Sequence, residues 1–187
     1  YPIDNLKDIL NLPDAKQFKN QFDGRYLQPT LFDFLANRAL RYYQENEGRV
    51  RTPQDEFKID HYSIFSTAKE FVNIQFNSSD TNSNDLKTAQ LFQELVKAHQ
   101  NDGNRSPLLH VELSRLKHYY ISSQQEKKDS LYLKALEVLQ QSFGESANTA
   151  EIEYAIAKYH YDLGSNYSQV ESEDYRWELK KAHELSS

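Results

Sequence analysis

With 187 residues the chain is long enough to bury a core unaided, and with no cysteine it has no thiol for disulfides, thiolate metal sites, cysteine nucleophiles or thioesters. Its 22 basic and 28 acidic residues give a net charge of −6 with both signs interspersed, which argues against a phosphate-binding surface and so against nucleic acid as a partner. No apolar run approaches the ~20 residues of a membrane span, and the scarcity of glycine and proline, five each, favours helices.

There is also no methionine, so residue 1 is expected to follow a removed leader or a longer preceding chain. Residues 3–22 predict one or two short helices with Ile3, Leu6, Ile9, Leu10, Phe18 and Phe22 as apolar positions, a break near Pro13 and a turn at Asp23-Gly24. A better-marked helix follows. Thr30 is its expected N-cap, Asp33 closes a short-armed capping box, and Leu31, Leu35, Ala39 and Tyr42 are the apolar stripe up to Gly48. Arg38, Arg41, Arg49 and Arg51 are read as a helix end whose cations suit the macrodipole. Residues 48–62 look irregular, a short helix is predicted over 64–76, and the polar run 77–84 is the clearest linker.

Beyond the linker the helices come in pairs. Leu86, Ala89, Phe92, Leu95, Val96 and His99 mark one, and Pro107 opens the next, with Leu109, Leu113, Leu116 and Tyr120. A charged turn at 124–129 leads to a helix with Leu131, Ala135, Leu136, Leu139 and Phe143, stopped by Gly144. Ile152, Ala155, Ile156 and Tyr159 lie on one face of a helix from about Thr149 to Leu163, stopped by Gly164. The last helix carries Tyr175, Trp177, Leu179, Ala182 and Leu185. Period-two alternation is nowhere sustained, so the expected class is all-α, without a sheet.

The stretch from Ala150 to Gly164 resembles the first helix of a tetratricopeptide repeat. Small Ala157 suits a close helix approach, Tyr161 and Leu163 fill space beside it, and Gly164 suits a tight turn. Leu131 to Gly164 spans 34 residues, the length expected of that repeat, and 85–121 looks like a degenerate earlier copy. The resemblance implies antiparallel helical hairpins stacked as a tetratricopeptide-like array, an α-α superhelix. One helical domain over 1–187 is expected, a fragment of a larger protein, with an irregular helical part at 1–76 and the helix pairs at 85–187.

Three further segments, Gln28 to Leu40, Asp129 to Leu136 and Tyr175-Arg176-Trp177, resemble in the same order parts of alpha-2-macroglobulin-like proteins of Bacteroidetes-type bacteria. That resemblance implies a helical region upstream of macroglobulin β-sandwich domains, in a bacterial periplasm or cell envelope, with the cytoplasm as the alternative. The family traps proteases through a thioester made by Cys and Gln. This chain has no cysteine, so no catalytic residue carries over.

Other constellations are weak. His110 and Glu112 point apart around a helix and His118 is about two turns on, poor spacing for a metal. His160 reads as a packed or capping histidine. Glu151 with Glu153, and Glu171 with Glu173 and Asp174, sit at expected helix starts, where acids are favoured without catalysis. The five glycines are isolated, so there is no phosphate loop, and Ser114 and Ser130 lack a nucleophile-elbow pattern. No catalytic, cofactor-binding or metal-binding residue is assigned, and no cofactor is expected. Tyr154, Lys158 and Tyr161, partly off the apolar face of their helix, are the candidate partner-binding groove, with burial against the 165–173 connection as the other reading. The expected function is a non-enzymatic interaction or spacer module whose partner is a neighbouring domain of the same polypeptide or an envelope protein. The alternatives are a free-standing tetratricopeptide adaptor and a SusD-like glycan-binding helical lipoprotein.

Overall fold

The computed structural model of the chain describes residues 26–45, 62–76, 83–144, 148–166 and 175–186. The helices expected within 3–22, the turn at Asp23-Gly24, most of the irregular stretch 48–62, linker residues 77–82 and the acidic cluster Glu171, Glu173 and Asp174 lie outside the described residues. Among the described residues the chain is all-helical, with no strand. The elements are α1 (Leu31–Glu45), a 3-10 turn (Tyr62–Phe65), α2 (Ala68–Phe71), α3 (Asn84–His99), α4 (Ser106–Ser122), α5 (Lys128–Phe143), α6 (Thr149–Gly164) and α7 (Glu178–Leu185). They fall into two compact units, 1–61 with 68–112 and 62–67 with 113–187, so the boundary lies inside α4.

In the first unit α1 packs against α3. Thr30 and Asp33 form the expected reciprocal cap. The Thr30 backbone N–H and hydroxyl both donate to Asp33 Oδ2, at 2.9 and 2.8 Å, and the Asp33 N–H donates back to Thr30 Oγ1 at 3.2 Å. The face that α1 buries is not the expected one. Asp33, Ala36 and Leu40 are buried, whereas Leu35 is 53% and Tyr42 62% exposed. The helix is turned by roughly 140° from the orientation its apolar stripe favours, at ~100° per residue. The cause is polar, since His99 of α3 meets Asp33 Oδ1 at 2.7 Å. Burying Leu35 instead would add about 1.5–3 kcal/mol. It would break a buried ion pair, at a cost of roughly 3–5 kcal/mol, so the pair sets the rotation. Arg38 and Arg41 consequently lie on the outward side of α1, not at a helix end as the charge pattern suggested.

The helix expected over 64–76 is broken. A 3-10 turn ends at Phe65 and α2 is a single turn from Ala68 to Phe71. Carbonyls that a continuous helix would use internally are instead bonded by side chains from afar. Within the first unit, Gln93 Nε2 donates to the carbonyls of Phe71 (2.9 Å) and Ile74 (2.8 Å). Within the second, the buried Arg115 guanidinium donates to the carbonyls of Ile64 and Ser66. Satisfying these oxygens from outside removes the penalty for leaving the helical path.

The second unit is built on α5, α6 and α7. Leu136, Leu139 and Phe143 of α5 and Ile152, Ile156, Ala157 and Tyr159 of α6 are buried. Tyr120 and Tyr132 stack with ring centroids 4.3 Å apart, and Tyr159 meets both rings at about 6 Å. Gln140 reaches Glu153 at 3.4 Å. Gly144 ends α5 at φ +59°, as expected of a glycine stop. Gly164 does something else. It is the last residue of α6, and a Cβ there would fall 2.7 Å from Leu179 Cγ and 2.8 Å from the Leu179 backbone nitrogen. Its role is to admit α7, not to reverse the chain. Tyr175 and Trp177, expected inside the last helix, lie in the turn before it, with Tyr175 at φ +64°.

Candidate functional site

Tyr154, Lys158 and Tyr161 stand one turn apart along α6, all on the side opposite Ile152, Ile156 and Tyr159. Tyr154 is 71% and Tyr161 55% exposed. Lys158 bonds Asp162 one turn on, and its ammonium lies 5.4 Å from the Tyr161 ring centroid. The hydrogen bond to Asp162 raises the Lys158 pKa, so the stripe keeps a positive charge between two phenols at neutral pH. Such a surface can offer ring faces and a cation to a ligand. It holds no nucleophile beside a base.

The histidines are differently placed. His160 is buried, and its Nδ1 bonds the carboxylate of Glu178 on α7. Burial alone would raise the Glu178 pKa, but hydrogen bonds from Lys181 and His160 outweigh it and the net shift is downward. This contact ties α6 to α7. His99 is buried between two carboxylates, Asp33 Oδ1 at Nε2 and Asp102 Oδ2 at Nδ1, each 2.7 Å away. Sequence reasoning placed His99 on an apolar stripe and Asp33 in a cap. Their partnership across 66 residues had no local signal. Glu112 is buried, and His110 and His118 are half-buried on α4. Glu151 sits in the first turn of α6, where the helix dipole favours it. Among the described residues no group of three or more His, Asp or Glu side chains could hold a metal ion. Among the same residues no helix is long and apolar enough to cross a membrane.

The exposed apolar side chains are unevenly spread. Of the fourteen large ones among the described residues, five (Tyr26, Phe32, Phe34, Leu35 and Tyr42) fall at α1 or just before it, and four more (Tyr175, Trp177, Leu179 and Leu185) fall in or just before α7. The Trp177 ring carries the Arg176 guanidinium 5.1 Å from its centroid. No protein-family model matches the chain, and no curated protein or solved structure matches it.

Proposed function

We propose that this chain is a non-catalytic helical module that works by contact, holding a protein surface against exposed faces of its helices. The observation that carries the proposal is the outward apolar stripe of α1, with Leu35 and Tyr42 more than half exposed on a helix whose other face is fixed by buried polar bonds. The aromatic stripe Tyr154, Lys158 and Tyr161 supplies a second contact face, of the Tyr-rich kind that interfaces favour. The tetratricopeptide reading is supported by α5 and α6. Gln140 lies opposite Glu153 and Tyr132 opposite Tyr159, the pairing expected of helices that run in opposite directions. The close seat of Leu179 on Gly164 suits a third helix packed in the same style. The segments that resemble alpha-2-macroglobulin-like proteins make a neighbouring domain of the same polypeptide, or an envelope protein, the partner we assign.

The test is site-specific photocrosslinking in the native cell, with a benzophenone amino acid placed at position 35, at 154 or at Glu137, an exposed control on α5. The expected outcome is one protein adduct, or one intramolecular crosslink to another domain, recurring at 35 or 154 and absent at 137. Equal adduct patterns at all three positions would overturn the proposal.

A further inference from the structure

The rotation of α1 is held against its own hydrophobic pattern. Leu35 and Tyr42 of the predicted apolar face look outward, and the inward face carries the carboxylate of Asp33. His99 accounts for this. Both of its ring nitrogens face carboxylate oxygens at 2.7 Å. An ionised carboxylate only accepts hydrogen bonds, so each nitrogen carries a hydrogen and the ring is an imidazolium. Asp33 has no need of a proton of its own, because Thr30 already donates twice to its other oxygen. The side chains of His99 and Asp33 are 4% and 2% exposed, but that of Asp102 is 42% exposed. The cation is therefore sealed on the α1 side and open to water through Asp102.

We propose that Asp33, His99 and Asp102 form a proton-operated latch. While His99 is an imidazolium, α1 is held with its apolar stripe outward. When that proton leaves, α1 is free to turn the stripe toward α3.

A neutral imidazole has one N–H. If it sits on Nδ1, Asp33 faces a bare nitrogen lone pair; if it sits on Nε2, Asp33 keeps that donor but loses the cation, and in both cases a buried carboxylate is left without its counter-charge and no longer favours the inward position. The drive to bury Leu35 and Tyr42 is then set against the burial of Ala36 and Leu40, the smaller apolar pair, without the ion pair on their side. Among the described residues, Asp33 from α1 and Asp102 from the turn after α3 are the titratable groups that act on His99. The hydrogen bond to Asp33 raises the His99 pKa, burial opposes it, and Asp102 adds to the rise. A raised histidine pKa means the latch is complete below the ordinary imidazole range, about 6.5, and is lost as pH rises through the higher folded value. For Asp33, burial would raise the pKa, but the bonds from His99 and Thr30 carry it downward. The latch therefore survives ordinary acidification and opens on the alkaline side.

The chain has no cysteine, so single-cysteine probes report cleanly. Leu35→Cys marks the outward face and Ala36→Cys the inward face. Each maleimide labelling rate is divided by the thiolate fraction of that thiol at the same pH, read from its ultraviolet absorbance, so that the ratio reports exposure and not thiol titration. At pH 6.5 the Ala36→Cys protein should label at least tenfold more slowly than the Leu35→Cys protein, and the gap should close by pH 9.5. Adding His99→Gln should close it at every pH. As a second variant that leaves the buried pair intact, Asp102→Asn, on the exposed side, should shift the closing point to lower pH. Proton NMR of the unaltered protein should show two ring N–H signals for His99 at pH 7.5. A gap that persists unchanged to pH 9.5, or a single ring N–H signal already at pH 6, would overturn the latch.

Discussion

A Cβ on Gly164 would press against the backbone nitrogen of Leu179 at 2.8 Å, and a backbone atom cannot swing aside as a side-chain tip can. Gly164→Ala is therefore expected to push α7 off α6 and cost about 1–3 kcal/mol, as overpacking does. Calorimetry should show a melting temperature several degrees lower. An unchanged melt would mean that α7 backs away freely. Gly144, by contrast, stands at φ +59° with nothing within 4 Å of a Cβ, so what it supplies is conformation. The sequence presents both as helix stops. It distinguishes them poorly because a close approach depends on Leu179, fifteen positions downstream, whereas a left-handed cap is local. Thr30 and Asp33 were legible for the same reason, their bonds spanning only three residues.

At the scale of elements, the start of α1 was legible and its buried face was not. Spacing finds an apolar stripe, but it cannot weigh that stripe against one charged hydrogen bond to a residue 66 positions away. The tyrosines show a second limit. Their number does not say which of them pack inside, and the structure buries Tyr132 and Tyr159 while leaving Tyr154 and Tyr161 outside. Burial pushes the phenols of Tyr132 and Tyr159 up to about 12. Burial also raises Tyr120, reinforced by the hydrogen bond it donates to Asp129 at 2.8 Å. Raised values mean that the folded state keeps protons which the unfolded state releases above about pH 10. This contribution is complete below that pH and falls as pH rises toward 12. An ultraviolet titration should therefore show at least these three of the thirteen tyrosines ionising late, in step with loss of helical circular dichroism. Ionisation of all thirteen near pH 10 while the helices persist would contradict the packed cluster.

Across the molecule, few breakers and helical spacing made the all-α class readable, and the helices from Asn84 to Phe143 fall close to where the pattern put them. The break in 62–76 was not readable, because its cause is the placement of Arg115 and Gln93. Replacing Arg115 with Met keeps much of the bulk and removes the donors. Arg115→Met should leave the carbonyls of Ile64 and Ser66 without these donors, at about 1–3 kcal/mol for each buried group left unsatisfied. Hydrogen exchange should speed up first at the Ser66 amide, which bonds the Ser63 carbonyl. If Ser66 exchanges no faster than the amides of α5, the guanidinium does not hold the turn.

Those two clamps also bear on which substitutions the chain can survive. Every residue offers a carbonyl oxygen, so Ile64, Ser66, Phe71 and Ile74 are recognised through atoms that no substitution removes. The side chains that do the recognising have no such freedom. The burden of preserving an irregular loop thus falls outside it, on one glutamine and one arginine within regular helices. In a saturation-mutagenesis map, positions 93 and 115 should be among the least tolerant of polar-to-apolar change, while Ser66 should accept most small residues.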